Sequence, residues 1–184
     1  MTVRSQPTWR KPVLPRDLFL VRHCESEGNK ALSRFKKLRR QFLSWFRRSH
    51  FQDEFLNRHN AHYRLTDKGK EQAPIVGKWL KDWLEANDLP HFDDHFVSTH
   101  IRTLETAALL GLSDAKWEPD FQLHERENGL WGVIPDRKWQ KRYKKALRHR
   151  DNLSFFTPMP DGESIADVTD RLRNFISTLD REET

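Results

Sequence analysis

The chain has 184 residues, of which 36% are hydrophobic, 33% charged and 11% aromatic, and this fits one compact domain rather than two. Lys and Arg number 33 against 27 Asp and Glu, a net charge of +6, so anionic partners such as phosphate esters, polyanions and acidic surfaces are favoured. No apolar run approaches the roughly 20 residues that span a bilayer, no apolar signal core opens the chain, and the lone Cys24 excludes a disulfide framework and a CxxC zinc cluster, so a cytoplasmic protein is expected.

Residues 1–16 carry Pro7, Pro12 and Pro15 among Arg and Lys without a period, which predicts a flexible basic arm ahead of a single domain over 17–184. Leu18, Phe19, Leu20 and Val21 form the continuous apolar run of a strand buried on both faces, and it ends in the polar cluster Arg22, His23, Cys24, Glu25 and Ser26. Over 30–48, Leu32, Phe35, Leu38, Phe42, Trp45 and Phe46 recur at spacings of three and four among eight Arg and Lys, the pattern of a basic amphipathic helix. Thr66 is placed to cap a second helix that turns Ala73, Val76, Leu80 and Leu84 inward and stops at Asn87-Asp88-Leu89-Pro90, with Pro74 marking a kink or a later start.

His95-Phe96-Val97-Ser98 reads as a short strand, and 102–110 as a helix buried through Leu104, Ala107, Ala108 and Leu109 and closed by Gly111. Residues 117–123 supply a further strand and 137–150 a second basic helix. Ser164 with Asp167 forms a capping box for a last helix, which aligns Ile165, Val168, Leu172, Phe175, Ile176 and Leu179 on one face. Alternating strands and helices predict an α/β fold with a largely parallel sheet.

The turn after the first apolar run gathers a guanidinium (Arg22), an imidazole (His23) and the small hydrogen-bonding groups of Ser26, Gly28 and Asn29. An Arg fork and backbone N–H groups can cradle a phosphate, and an imidazole can attack phosphorus. The competing reading is a histidine that only caps local backbone. Five segments, in order, resemble the histidine phosphatase superfamily, the phosphoglycerate mutase-like fold. Arg22-His23-Cys24-Glu25-Ser26-Glu27-Gly28-Asn29 is similar to its Arg-His-Gly signature, and Leu65-Thr66-Asp67-Lys68-Gly69-Lys70-Glu71-Gln72-Ala73 to its Leu-Thr-x-x-Gly-x-x-Gln-Ala helix start. Ser98-Thr99-His100-Ile101-Arg102-Thr103-Leu104-Glu105-Thr106-Ala107 resembles the segment with a second phosphate-binding Arg, Leu123-His124-Glu125-Arg126-Glu127-Asn128-Gly129 the one with the proton donor, and Gly162-Glu163-Ser164 a marker before the last helix.

The resemblance implies a three-layer α/β/α sandwich around a mostly parallel sheet, and a phosphomonoester hydrolase working through a phosphohistidine without metal or other cofactor. It makes His23 the nucleophile, has Arg22, Asn29 and Arg102 hold the phosphoryl oxygens, and has Glu125 protonate the leaving alcohol, with Glu127 as its rival. Two cations beside His23 disfavour the imidazolium and keep a lone pair available, whereas Glu125 must start protonated, through burial or bound phosphate.

Two departures stand out. Cys24 occupies the position of the signature glycine, and packing of its thiol into the core is the favoured reading. Nothing after Leu179 matches the strand and Ser-His-Gly turn with which the family ends its core, so the sheet is expected to lack its last core strand and the pocket its second imidazole. The chain is accordingly expected to be an incomplete or degenerate copy, inactive or feeble by itself. His100 is expected to make local hydrogen bonds rather than to replace that imidazole. The pairs His59/His62 and His91/His95 have helical spacing but no HExxH pattern, so no metal site is expected. The basic helices read first as solvated faces, then as steering for phosphorylated substrates, and last as a nucleic-acid or membrane surface. A small phosphorylated substrate is the expected partner, a mutase activity is disfavoured, and the alternative is an inactive phosphate- or polyanion-binding module of the same fold.

Overall fold

In the computed structural model, which describes residues 15–31, 33, 58–129, 155–158 and 161–179, Thr66 opens the first long helix, α1 (Asp67–Ala86). Its hydroxyl accepts the Gly69 N–H at 3.1 Å, and Asp67 in the first turn suits the positive end of the helix dipole. The helix runs through Pro74 and buries Gly69, Ala73, Gly77, Leu80 and Leu84 on one face, ending at Asn87 with Asp88 left-handed at φ 53°. The expected basic helices at 30–48 and 137–150 lie outside the described residues, except that 27–31 and 33 are helical. Of the expected arm, only Pro15 and Arg16 are described.

Strand β1 (His95–Ser98) has the expected bounds and pairs in parallel with β2 (Trp117–Asp120), Val97 lying opposite Pro119. Helix α2 (Ile101–Leu109) makes the crossover between them, and Gly111 follows its end at φ 69°. Strand β2 is shorter than the predicted 117–123. The Asp120 carboxylate accepts the Gln122 N–H at 2.7 Å and turns the chain into a 3-10 turn, Phe121–Leu123.

Three expectations of burial fail for tertiary reasons. Residues 18–21 are not a strand: Leu18, Leu20 and Val21 are 61%, 88% and 43% exposed, and no described residue makes a ladder with them. Phe19 alone is held, with its ring 4.5 Å from Trp83 and 5.1 Å from Phe92. An apolar run becomes a strand only where a neighbour offers its edge, and here β1 pairs with β2 instead. Helix α2 does not bury Leu104, Ala108 or Leu109; its inner face carries Arg102, Thr106 and Ala107, because that side docks onto a polar turn. The last helix, α3 (Ile165–Thr178), has its capping box, with Ser164 N and Oγ both 2.7 Å from Asp167 Oδ2 and the Asp167 N–H returning to Ser164 Oγ at 3.0 Å. Its apolar stripe is only partly used: Phe175 is buried edge-on to Phe96 at 5.1 Å, while Ile165, Leu172 and Ile176 stay exposed. The architecture is α/β with parallel strand pairing, and no described helix is long and apolar enough to cross a membrane.

Candidate active site

The turn carrying Arg22 and His23 is moored by its backbone to the start of α1. Thr66 N–H donates to Glu25 O at 2.9 Å, Glu25 N–H to Gln72 Oε1 at 3.0 Å, and Glu27 N–H to Arg64 O at 2.9 Å. The approach is so close that a Cβ on Gly69 would lie 2.1 Å from Glu25 O, which explains a glycine at the fourth position from Thr66. Helix α2 grips the same assembly from the other side: Glu105 takes the Leu65 N–H at 2.7 Å and Arg64 Nε at 2.6 Å. Cys24 is buried with Leu65 and Ala73 and has no positive φ, so this position requires none of glycine's conformational freedom and its thiol packs into the core. Burial pushes that thiol above its ordinary pKa.

His23 is half-buried, with Nδ1 2.7 Å from its neighbour's carbonyl, Cys24 O. A carbonyl only accepts, so Nδ1 holds the proton and Nε2 keeps the lone pair. Burial holds the ring below the ordinary histidine pKa, against the Cys24 hydrogen bond, and the Arg102 and Arg22 charges push in the same downward direction. The two guanidinium charges lower the His23 pKa, the direction expected of cations near it, whereas the Glu125 charge raises it. Asn29, in the helical turn 27–31, folds back onto Ser26 before it: its Oδ1 accepts Ser26 N–H at 3.1 Å and Ser26 Oγ at 2.9 Å, which leaves its amide NH2 as the donor side.

Arg102, 2% exposed, is the centre of the charged cluster. Its Nη2 donates to Glu125 Oε2 at 2.7 Å and to His100 Nδ1 at 2.8 Å, and its Nη1 to Asn60 O at 2.7 Å. Among the described residues, Nε–H and one Nη1–H remain for a ligand. His100 makes the expected local hydrogen bond; it accepts from a cation, so it is neutral, and burial first and Arg102 second push it down to about 4. Of the two routes expected for a general acid, burial or bound phosphate, burial is not the one Glu125 has: its side chain is 56% exposed and paired with Arg102. The rival Glu127 contacts His59 Nε2 at 3.2 Å and the Gly129 N–H at 3.2 Å instead.

The segment bearing Glu125 is tied to the start of α3 by Glu163, which accepts Glu127 N–H at 2.8 Å and Arg171 Nε at 2.8 Å and returns its own N–H to Glu127 O at 2.8 Å. The sequence reading missed Asn60, whose backbone carbonyl accepts from Arg102 at 2.7 Å and whose side-chain amide donates to Glu125 Oε2 at 3.4 Å. It also missed Thr106, although a hydroxyl four residues after Arg102 on one helix face was a usable signal. Of the histidine pairs, His59 lies edge-on to His62 at 6.1 Å and also pairs with Glu127, while His95 lies edge-on to Trp117 at 5.3 Å. Among the described residues no three His, Cys, Asp or Glu converge as a metal site.

The family model for the histidine phosphatase superfamily (branch 1) matches residues 50–184, a span with Arg102 and Glu125 that begins after the turn of His23. A phosphoglycerate mutase-like protein of Arabidopsis thaliana is 29% identical over 177 residues, covering 92% of this chain and 48% of that protein. The 6-phosphofructo-2-kinase/fructose-2,6-bisphosphatase of Aquarana catesbeiana is 26% identical over 171 residues, covering 93% of this chain and 29% of its own length. The chain therefore spans about half or less of these two relatives. In fold it is similar to the alpha-ribazole phosphatase from Shigella flexneri, with a TM-score of 0.60 at 21% identity over 86% of this chain and 64% of that one.

Proposed function

Because the chain belongs to the histidine phosphatase superfamily (branch 1), we propose that it hydrolyses small phosphomonoesters through a phosphohistidine at His23. The observation that carries this reading is the hydrogen bond of that ring: Nδ1–H is spent on Cys24 O, which leaves Nε2 with the lone pair, and burial with the Arg102 and Arg22 charges lowers the ring's pKa. Nε2 attacks phosphorus, the bond from phosphorus to the ester oxygen breaks, and the departing alkoxide takes a proton from Glu125. Water then attacks the phosphohistidine, Glu125 recovers the proton, and the N–P bond breaks to release inorganic phosphate. Arg102 contributes its two uncommitted donors to the phosphoryl oxygens, together with Arg22 and the Asn29 amide. These are charge-stabilising contacts of the kind a loose, anionic transition state rewards.

Glu125 reaches its acid form in this scheme by exchange. An incoming phosphate dianion competes for Arg102, and a carboxyl facing that dianion is favoured in its protonated form. The name of the fructose-2,6-bisphosphatase relative supports a phosphorylated small molecule as the substrate class. A short incubation with a labelled phosphomonoester, quenched in alkali, tests the proposal: acid-labile phosphate on the protein, lost in His23→Ala, supports it. Undiminished turnover in His23→Ala would overturn it.

A second reading, a phosphate-binding module without turnover, draws on one observation: Glu125 meets Arg102 as an exposed, paired carboxylate rather than a buried acid. Salt-sensitive phosphate binding with no hydrolysis and no phosphoenzyme is its signature.

A further inference from the structure

We propose that Thr106 is a positioning residue for the nucleophile, its hydroxyl joining the peptide next to His23 to the carbonyl of Arg102. This rests on the phosphohistidine reading above. The fully described path is short. Thr106 Oγ1 accepts the Cys24 N–H at 3.1 Å, a contact across 82 positions of sequence, and donates to Arg102 O at 2.7 Å. Cys24 O in turn accepts from His23 Nδ1 at 2.7 Å. The Cys24 residue is thus held at its N–H by Thr106 and holds the imidazole through its C=O. Thr106 is buried at 3% exposure, so water does not stand in for the hydroxyl.

The donation to Arg102 O is the ordinary back-bond of a helical threonine. It fixes the hydroxyl hydrogen on its own helix and leaves a lone pair aimed outward at Cys24 N–H. The side chain therefore works in one direction, as an acceptor for the nucleophile turn from the helix that carries the phosphate-holding guanidinium. Among the described residues, this hydroxyl makes the direct bond from α2 to the Cys24 backbone, beside the bonds from Thr66, Gln72 and Arg64 that hold the rest of the turn. Glu105, one residue earlier, fastens the neighbouring Arg64 and Leu65 to the same helix but does not touch the His23 or Cys24 backbone.

The test compares Thr106→Val, which keeps the shape and loses both bonds, with Thr106→Ser, which keeps the hydroxyl. Turnover of p-nitrophenyl phosphate is read alongside the ¹⁵N signals of the His23 ring. The expectation for Thr106→Val is a kcat lower by roughly tenfold to a hundredfold, the scale of a small misplacement of reacting groups, with KM within about threefold and the ring moving from a single Nδ1–H tautomer to a mixture. Thr106→Ser should restore kcat to within about threefold and keep the tautomer. Wild-type kcat in a folded Thr106→Val, or equal losses in Ser and Val, overturns the proposal. Should Thr106→Val fail to fold, the Ser variant and the wild-type Cys24 amide decide, since an amide proton exchanging as fast as free loop also overturns it. If wild type itself forms no phosphoenzyme and releases no phosphate, the reaction reading has failed, while the ring and amide signals still report whether Thr106 positions His23.

Discussion

Arg102→Lys is the perturbation whose consequences are most fully set by the geometry. The guanidinium spans three acceptors, Glu125 Oε2 at 2.7 Å, His100 Nδ1 at 2.8 Å and Asn60 O at 2.7 Å, from a site where its side chain is 3% exposed. An ammonium is a point charge with no planar fork, so it follows the carboxylate and leaves the other two acceptors behind. His100 Nδ1 is buried, and an unsatisfied buried acceptor costs about 1–3 kcal/mol; Asn60 is half-buried and adds less, for a total of about 2–4 kcal/mol. In a domain of this size that lowers Tm by roughly 4–16 °C. Removing a donor aimed at developing charge costs about 10² to 10³ in kcat. Thermal melts and p-nitrophenyl phosphate kinetics on the same preparations check both numbers. A Lys variant that melts within 1–2 °C of wild type and keeps kcat/KM within about threefold refutes the reasoning, because Arg102 would then be neither structurally nor chemically central.

Glu125→Gln should lower turnover of an alkyl phosphate by about 10² to 10³ yet cost p-nitrophenyl phosphate less than about tenfold, since nitrophenolate leaves without a proton; equal losses would remove Glu125 from the acid role. His100 is neutral and pushed down to about 4 in the fold, against 6.5 as the ordinary value, so below 6.5 the unfolded chain gains the proton first. Its contribution to stability is complete above that pH, shrinks as pH falls towards 4, and is on the order of 3 kcal/mol across the window. Urea midpoints from pH 7 to pH 4 should therefore fall more steeply for wild type than for His100→Asn, which keeps an acceptor and cannot titrate. Gly69→Ala should cost about 1–3 kcal/mol and lower kcat together with stability, because its methyl would need the space held by Glu25 O at 2.1 Å; denaturant midpoints and kcat measured in parallel check this.

What could be read from the chain alone was whatever depends on local chemistry. The Thr66 and Ser164 caps and the halt after α1 follow from side chains bonding to backbone within a few residues, and the structure has them, as it has the expected bounds of β1. The candidate positions were legible for a related reason: Arg22, His23, Arg102 and Glu125 stand in short polar clusters beside apolar residues, and the structure brings Arg102 and Glu125 into contact with His23 in their field. What failed depends on distant partners. The apolar run at 18–21 satisfies every local rule for a strand, but its edge finds no described neighbour. The apolar residues of α2 count as core by periodicity, but the helix turns its polar side inward because three of its residues, Arg102, Glu105 and Thr106, meet buried or half-buried acceptors and donors from 24, 60 and 65.

That inversion of α2 carries a consequence for how the site holds its shape. An apolar contact tolerates sliding, because dispersion and area burial change little over a fraction of an ångström, whereas a hydrogen bond to backbone is lost over the same distance. The turn of His23 has a small apolar anchor, Cys24 with Leu65 and Ala73, and is otherwise located by bonds to backbone from Thr66, Gln72, Arg64 and Thr106. Substitutions in the outward apolar residues of α2, such as Leu104 or Leu109, should then leave the chemistry alone. Loss of a single hydroxyl on its inner face should move the nucleophile while the fold persists. A helix that presented its apolar face inward would hold the same two segments together with comparable affinity, but it would fix the position of His23 relative to Arg102 far less sharply.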